Sequence, residues 1–263
     1  MKLSNNLLIS ESGDKKNIPI IFVHGFPLDR HMWENQIRHL ENSYYCLSFN
    51  LQGLGESDPG DGQYTIDSFA DDIFRITDEM NLDKPVLCGL SMGGYIALRA
   101  AERDQQRFRG LILCDTKSGA DNNEAKLKRA AGVKKINVEG SEKFISEFVP
   151  PLFAPESRKD DNEAYTSVMA RSLKSHPIGL KGCLLAMAGR TDTTEFLQNI
   201  NIPVLLLCGA FDTLTTPPVM REMHEKIKDS EFSVAPRAGH MSPVENPEFV
   251  NDVIAGFLKR RIQ

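Results

Sequence analysis

Ser91 stands in the segment Gly89-Leu90-Ser91-Met92-Gly93, where a glycine lies two positions away on each side of the serine. The segment follows the apolar run 85–88 and precedes the helical pattern 94–101, and a strand, a sharp turn and a helix are the setting of a nucleophilic serine. Side chains at the two glycine positions would collide with neighbouring backbone. The sequence predicts that Ser91 is a nucleophile; the alternative is an ordinary glycine-rich turn.

A serine hydroxyl is a weak nucleophile until a base takes its proton, and histidine is the usual base. Among the six histidines, His240 follows the last predicted strand on the loop side of the sheet, and we expect it to be the base. His24 belongs to a separate turn and is predicted to tie loops together. The remaining histidines fall in helical or inserted segments and are predicted to be surface residues: His31, His39, His176 and His224.

A catalytic imidazole needs a buried acceptor that fixes its tautomer. Asp212 follows Cys208, at the end of a predicted strand, and is the candidate for this role. The order Ser91, Asp212, His240 along the chain is expected for a serine on a strand-to-helix elbow, and it differs from the chymotrypsin and subtilisin orders. Asp115, at the end of an earlier strand, is the alternative acid.

Two backbone N–H groups are candidates for stabilising the oxyanion that forms when Ser91 attacks a carbonyl. The N–H of Met92 lies at the amino end of a predicted helix, where an unpaired donor and the helix dipole favour negative charge. The turn His24-Gly25-Phe26-Pro27 follows another strand, and Phe26 is the second candidate because Pro27 has no N–H. These residues predict acyl transfer through an acyl-enzyme that water then hydrolyses.

The elements that must position these residues are strands of a parallel sheet. Short apolar runs rich in β-branched residues alternate with helical patterns, which predicts buried strands joined by crossover helices. Ligands of open α/β sheets bind outside the carboxyl ends of the strands, and the candidate residues follow such ends. The predicted strands are Ile18–Val23, Tyr44–Asn50, Pro85–Cys88, Gly110–Cys114, Pro203–Cys208 and Glu231–Val234.

Between residues 117 and 200, strand signals give way to charged segments with helical spacing, such as 124–135, 141–149 and 162–173. Strand signals resume at Pro203, and both halves are needed to complete one sheet. We therefore predict a core of residues 1–116 and 201–263 and an inserted helical cap of residues 117–200. We expect Phe144 and Phe153 of this cap and Trp33 of the core to line a substrate pocket. Alternatively, the apolar residues of the cap only pack it onto the core.

The composition excludes several classes of partner. With a formal net charge of −5, the chain lacks the basic face that nucleic acids and anionic membranes require. It shows no secretory signal and no apolar run of about 20 residues, so we expect a cytoplasmic protein without membrane partners. The five cysteines form no C-x-x-C pair and are predicted to be reduced core residues. Without an H-E-x-x-H motif, clustered Cys and His ligands or a P-loop, neither a metal nor a cofactor is expected.

Four motifs together resemble the α/β-hydrolase superfamily over nearly the whole chain: His24-Gly25-Phe26-Pro27, Gly89-Leu90-Ser91-Met92-Gly93, Asp212 and Ala238-Gly239-His240. This resemblance implies an α/β-hydrolase fold, with a mostly parallel, doubly wound sheet and an inserted helical cap. It also implies the catalytic roles of Ser91, Asp212 and His240.

Within the superfamily, the stretch 22–33 and the strand end Leu113-Cys114-Asp115-Thr116 look most like small carboxylesterases and 3-oxoadipate enol-lactonase-like enzymes. Ser91 argues against the dehalogenases and epoxide hydrolases, whose nucleophile is an aspartate. The resemblance implies a serine carboxylesterase acting on a small or medium ester. A lactonase or a carbon–carbon bond hydrolase with the same triad is the alternative, because pocket shape distinguishes them. A ligand receptor with a slow triad is the alternative of another class.

Overall fold

A central sheet organises the residues that the computed structural model describes, which are 7–159 and 162–263. Its strands are β1 (Ile9–Ser12), β2 (Pro19–Val23), β3 (Tyr45–Phe49), β4 (Val86–Leu90), β5 (Gly110–Cys114), β6 (Val204–Gly209) and β7 (Ser230–Ala235). Their spatial order is β1-β3-β2-β4-β5-β6-β7. β1 runs antiparallel to β3, and the other neighbouring pairs are parallel. The predicted mostly parallel sheet is confirmed.

The inner strands form because their residues are apolar towards both faces of the sheet. Every residue of β2, β4, β5 and β6 is buried, as expected where helices cover both faces of a parallel sheet. The edge strand β1 was not predicted from the sequence. Ile9 is its one buried residue, so the strand depends on hydrogen bonds to β3 that no local pattern indicates.

Helices flank this sheet, and several begin at residues that favour a helix start. The helices are α1 (Glu34–Leu40), α2 (Ile66–Glu79), α3 (Met92–Asp104), α4 (Asn123–Glu139), α5 (Ser141–Phe148), α6 (Glu163–Ser172), α7 (Pro177–Ala188), α8 (Pro217–Lys226), α9 (Ser242–Glu245) and α10 (Pro247–Arg261). Thr65 and Ser68 form a reciprocal capping box at α2, and the Asn122 side chain caps α4. In the described part of the chain, no helix has the length and hydropathy needed to cross a bilayer.

The segment between β5 and β6 contains α4 to α7, with no strand in its described part. We call residues 117–200 the cap. Within it, α4 packs against α5 and α7. The sequence of α7 shows no alternation of an apolar and a polar face, because most of its residues are apolar and buried. Residues 1–6 of the predicted core and residues 160–161 of the predicted cap lie outside the described residues.

Candidate active site

The turn after β4 presents Ser91 at the carboxyl edge of the sheet. Its φ of 53° is an uncommon value for a residue with a side chain, and such strain persists only where the surroundings enforce it. The end of β5 does so here. The Ser91 N–H donates to the carbonyl oxygen of Cys114 at 2.9 Å, and the Ser91 carbonyl oxygen accepts from Thr116 Oγ1 at 2.8 Å.

The two glycines around Ser91 are required by close backbone approaches. A Cβ on Gly93 would lie 2.2 Å from the carbonyl oxygen of Val23, and a Cβ on Gly89 would lie 2.4 Å from the carbonyl oxygen of Gly93. Neither contact can be relieved by turning a side chain, since both partner atoms belong to the backbone. The spacing in the sequence therefore reflects steric exclusion at this elbow.

His240 lies between Ser91 and Asp212 and contacts both. Its Nε2 is 2.8 Å from Ser91 Oγ, and its Nδ1 is 2.8 Å from Asp212 Oδ2. A proton on Nδ1 donates to the carboxylate and leaves Nε2 free to accept from the serine hydroxyl, which is the tautomer that a general base needs. The fold thus brings Asp212 and His240 together with Ser91, which lies more than a hundred positions before either of them in the chain.

The Asp212 carboxylate is buried and surrounded by donors from its own loop. Oδ1 accepts from the N–H groups of Leu214 at 2.8 Å and Thr215 at 3.0 Å, and the Thr215 hydroxyl donates to Oδ2 at 2.5 Å. Burial alone raises the pKa of Asp212. The charge interaction with His240 and these hydrogen bonds outweigh burial, so the pKa of Asp212 lies below its ordinary value.

Asp115, the alternative acid, is buried beside Asp212 and His240 but forms its hydrogen bonds with other residues. Its Oδ1 accepts from the Gly209 N–H at 2.8 Å, and its Oδ2 accepts from the Ser242 hydroxyl at 2.5 Å. Burial and the nearby Asp212 charge raise the pKa of Asp115 well above its ordinary value. The carboxyl that hydrogen bonds to His240 is that of Asp212, so the geometry favours Asp212 over Asp115 as the orienting acid.

Asp115, Asp212 and His240 form the one group of potential metal ligands among the described residues, with ligand atoms within 4.8 Å of one another. These atoms already serve other partners. His240 Nδ1 bonds to Asp212, and the oxygens of Asp115 accept from Gly209 and Ser242. The donor set is therefore accounted for by hydrogen bonds of the triad and its support.

The residues that carry the candidate oxyanion donors lie close to Ser91. Met92 is the first residue of α3, so its N–H has no acceptor within the helix. The turn that carries Phe26 passes close to the serine, since a Cβ on Gly25 would lie 3.4 Å from Ser91 Cβ. Phe26 and Ser91 line the same cavity. Phe26 and Met92 thus lie beside Ser91, and their N–H groups remain the candidates for stabilising an oxyanion.

His24, in the same turn as Phe26, joins two loops at the sheet edge. Its Nε2 accepts from the Leu51 N–H at 2.9 Å, and its Nδ1 is 2.9 Å from the Gly25 carbonyl oxygen, to which it donates. Burial lowers the pKa of His24 to about 4. The predicted loop-tying role is confirmed by these contacts, which require the neutral imidazole.

A cavity of about 380 Å³ lies over Ser91 and His240, between the core and the cap. Apolar side chains from both parts line it: Phe26, Phe144, Phe148, Leu152, Leu184 and Met187. The three phenylalanines contact one another, with ring centroids 5.2 to 6.2 Å apart. Polar side chains from α3, from the residues after β5 and from α4 also line it: Tyr95, Lys117, Asp121, Lys128 and Arg129.

Of the three predicted pocket residues, Phe144 lines this cavity, whereas Trp33 and Phe153 do not. Trp33 is fully buried against Phe22, with ring centroids 5.4 Å apart. Phe153 is buried edge-on against Tyr165 at 5.2 Å. The prediction for these two residues is corrected: both are core packing residues, because apolar composition does not reveal which side of an element faces a cavity.

Glu245 supports the loop that carries His240, a role that was not predicted from the sequence. Its Oε2 accepts from the Gly239 N–H, and its Oε1 accepts from the Ala154 N–H of the cap, both at 2.7 Å. It therefore joins the loop that carries His240 to the cap. A glutamate five residues after the candidate base is the only sequence signal for this role, and many surface glutamates would match it.

Comparisons with known proteins agree with this architecture. A family model described as alpha/beta hydrolase fold matches residues 18–159, more than half of the chain. A thermophilic esterase from Thermogutta terrifontis, solved with malate bound, is 35% identical, with a TM-score of 0.93 and coverage of 98% of this chain and 94% of that one.

Two enol-lactonases are also similar to the chain. The enol-lactonase from Burkholderia xenovorans LB400 has a TM-score of 0.90 at 22% identity, with coverage of 97% of this chain and 96% of that one, which shows the fold alone. 3-Oxoadipate enol-lactonase 2 of Acinetobacter baylyi is 27% identical over 241 residues, which are 92% of this chain and 88% of that relative. With esterases and enol-lactonases among its relatives, the chain belongs to the α/β-hydrolase family.

Proposed function

We propose that the chain is a serine carboxylesterase that hydrolyses small or medium carboxylic esters through an acyl-enzyme. The observation that carries this proposal is the continuous contact from Ser91 Oγ through His240 to Asp212, with both distances at 2.8 Å. A 35% identity to an esterase over almost the whole chain supports the same activity.

In the acylation step, Ser91 Oγ attacks the ester carbonyl carbon while His240 Nε2 takes the hydroxyl proton. The carbonyl oxygen becomes an oxyanion, which the N–H groups of Phe26 and Met92 stabilise. In hydrolases of this kind each such donor contributes about 3 kcal/mol to transition-state stabilisation. The tetrahedral intermediate then expels the alkoxide, which takes the proton from His240 and leaves as the alcohol.

In the deacylation step, water takes the place of the alcohol. His240 Nε2 removes a proton from this water as its oxygen attacks the acyl carbon, and the oxyanion forms again at the same donors. The intermediate releases Ser91 Oγ, which recovers its proton from His240. Ester and water thus become carboxylic acid and alcohol, and the enzyme returns to its starting state.

Lactone hydrolysis is a second candidate function. It is favoured by the similarity to a 3-oxoadipate enol-lactonase over 92% of the chain. A lactone is a cyclic ester, so the same atoms react, but the leaving alkoxide stays attached to the acyl chain. The triad serves both reactions, and the shape of the cavity determines which of the two is faster.

The test is hydrolysis of p-nitrophenyl acyl esters of increasing chain length, and of a simple γ-lactone, by the purified protein. We expect turnover of the short and medium esters, and a loss of at least about 10³-fold in Ser91→Ala. Ser167→Ala is the matched control, since Ser167 is exposed and does not line the cavity. Turnover that persists in Ser91→Ala, or no turnover of any ester or lactone, would falsify the proposal.

A further inference from the structure

The lining of the cavity over Ser91 carries more positive than negative charge. Lys117, Lys128 and Arg129 line it, and Asp121 is the carboxylate that faces it within the described residues. Lys128 pairs with Glu124 at 2.8 Å, and both side chains are about three-quarters exposed, so solvent screens Lys128. The charges that act inside the cavity are those around Asp121.

Asp121 is shared by three cations. Its Oδ1 accepts from Arg190 Nη1 at 2.7 Å and lies 3.9 Å from Lys117 Nζ, while its Oδ2 accepts from Arg129 Nε at 3.1 Å. The side chains of Asp121 and Arg190 are 1% and 2% exposed. One buried carboxylate therefore faces three positive charges. The Asp192 carboxylate also interacts electrostatically with Arg190, but Asp192 is exposed and does not line the cavity.

The three cations differ in how fully their donors are used. Arg190 is committed to structure, since Nη1 also donates to the Met187 carbonyl oxygen and Nη2 donates to the Gly119 carbonyl oxygen. Its guanidinium lies 4.2 Å from the centre of the Tyr95 ring. Arg129, by contrast, donates to Asp121 through Nε, and the structure gives its terminal nitrogens no partner among the described residues.

The excess positive charge acts on the ammonium group of Lys117. Burial lowers the pKa of Lys117, the positive charge of Arg190 lowers it further, and Asp121 opposes both effects. Its ammonium is 3.9 Å from the nearest Asp121 oxygen, beyond hydrogen-bond distance. A half-buried cation that its neighbouring carboxylate only partly neutralises is stabilised by an anion bound beside it.

We propose that the natural substrate is an ester that carries a free carboxylate, and that Arg129 and Lys117 bind this carboxylate. The inference rests on the proposed function and names its substrate class. The planar guanidinium of Arg129 suits a carboxylate, with its two terminal nitrogens as donors, and Lys117 adds a point charge. The apolar lining residues, among them Phe26, Phe144 and Leu184, contact the hydrocarbon part of this substrate. The cavity is positive in a chain whose net charge is −5.

The substrate test compares matched pairs of esters in which a carboxylate is replaced by a carboxamide. In monomethyl succinate the carboxylate lies on the acyl part of the ester, and in acetoxyacetate it lies on the alcohol part. The matching carboxamide of each is uncharged. We expect kcat/KM at least ten-fold higher for the acid than for its amide in one pair or both, and the pair with the larger ratio identifies the part that carries the charge. Equal values within both pairs would overturn the inference while leaving the esterase activity in place.

The variant test uses Arg129→Gln and Lys117→Gln, with Lys126→Gln as the matched control. Lys126 lies on the same helix as Arg129 but is exposed and outside the cavity lining. Lys126→Gln therefore makes the same change of net charge as the cavity variants without changing the cavity. We expect each cavity variant to lower the acid-to-amide ratio of kcat/KM about ten-fold, mainly through KM, and the control to leave the ratio unchanged. An equal fall in all three variants would show an effect of overall charge and would contradict the proposed site.

A binding measurement separates this inference from the proposed function. Calorimetric titration of succinate into Ser91→Ala requires no turnover, and we expect binding that is lost when Arg129→Gln is added. Binding that depends on Arg129 in a protein that hydrolyses none of the esters would support the anion site and overturn only the esterase proposal. If Arg129→Gln fails to fold, Lys117→Gln takes its place in the same titration. Succinate binding that neither substitution weakens would overturn the inference.

Discussion

The backbone N–H of His240 donates a 2.7 Å hydrogen bond to the carbonyl oxygen of Leu152, so the candidate base is held directly by the cap. Glu245 reinforces this junction by accepting from Gly239 in the His240 loop and from Ala154 in the cap. The cap therefore covers the cavity and also positions the loop that carries the imidazole.

The Glu245 carboxylate is expected to be needed for this positioning. In Glu245→Gln, one oxygen is replaced by an NH₂ group that would face an N–H donor, leaving that donor unsatisfied. We expect a loss of about 1–3 kcal/mol in unfolding free energy and a fall in kcat of about ten-fold for the best p-nitrophenyl ester. Urea unfolding and steady-state kinetics measure the two effects. Glu222→Gln, at an exposed position of α8, is the control; an equal loss in both variants would contradict the role of Glu245.

Asp212 and Asp115 are expected to respond differently to the same substitution. Asp212→Asn removes the acceptor that fixes the His240 tautomer and should lower kcat by about 10³- to 10⁴-fold. Asp115 bonds to Gly209 and Ser242 and not to His240. An amide can still accept from the Gly209 N–H and can donate to the Ser242 hydroxyl, so Asp115→Asn should cost less than about ten-fold. Single-turnover kinetics on both variants test this. A severe loss in Asp115→Asn with a mild one in Asp212→Asn would reverse the assignment.

The pKa of His24 makes stability depend on pH. The native state keeps His24 neutral down to about pH 4, whereas the unfolded chain binds a proton near pH 6.5, the ordinary histidine pKa. The contribution of the neutral His24 to the free energy of unfolding is complete above about pH 6.5. It is lost as the pH falls towards 4, by at most about 3 kcal/mol.

Urea unfolding at several pH values between 7 and 4 measures this dependence. His24→Gln should be less stable than the parent at pH 7, because the contacts to Leu51 and Gly25 change, but its stability should fall less steeply with acid. His39→Gln, which replaces a histidine on the exposed side of α1, should keep the parental slope. The same slope in His24→Gln as in the parent would show that the dependence arises elsewhere.

Gly93→Ala is expected to unfold or severely destabilise the protein. Its Cβ would lie 2.2 Å from the carbonyl oxygen of Val23, so β2 and α3 would have to separate, at a cost of several kcal/mol, on the order of 4. Gly189→Ala is the control, because a Cβ there meets its nearest atom at 3.6 Å. Thermal unfolding should show a large fall in Tm for Gly93→Ala and a small change for Gly189→Ala. Similar Tm values for the two variants would contradict the steric argument.

The sequence by itself determined the parts of this protein that depend on local spacing. The strands that are buried on both faces are apolar runs, the elbow needs glycine at positions 89 and 93, and Ser91, Asp212 and His240 follow strand ends. Each of these features depends on residues that are close neighbours in the sequence, so its physical cause can be inferred from a short stretch of chain.

Only the tertiary structure decided which residues face the cavity and which support the triad. Trp33 and Phe153 are large aromatic residues, as many pocket residues are, but they pack in the core. The edge strand β1 depends on its pairing with β3. The hydrogen bonds from Ala154 to Glu245 and from Arg190 to Asp121 join residues far apart in the chain. Packing sets which way a side chain points and which distant residue it contacts, and a local sequence pattern does not contain this information.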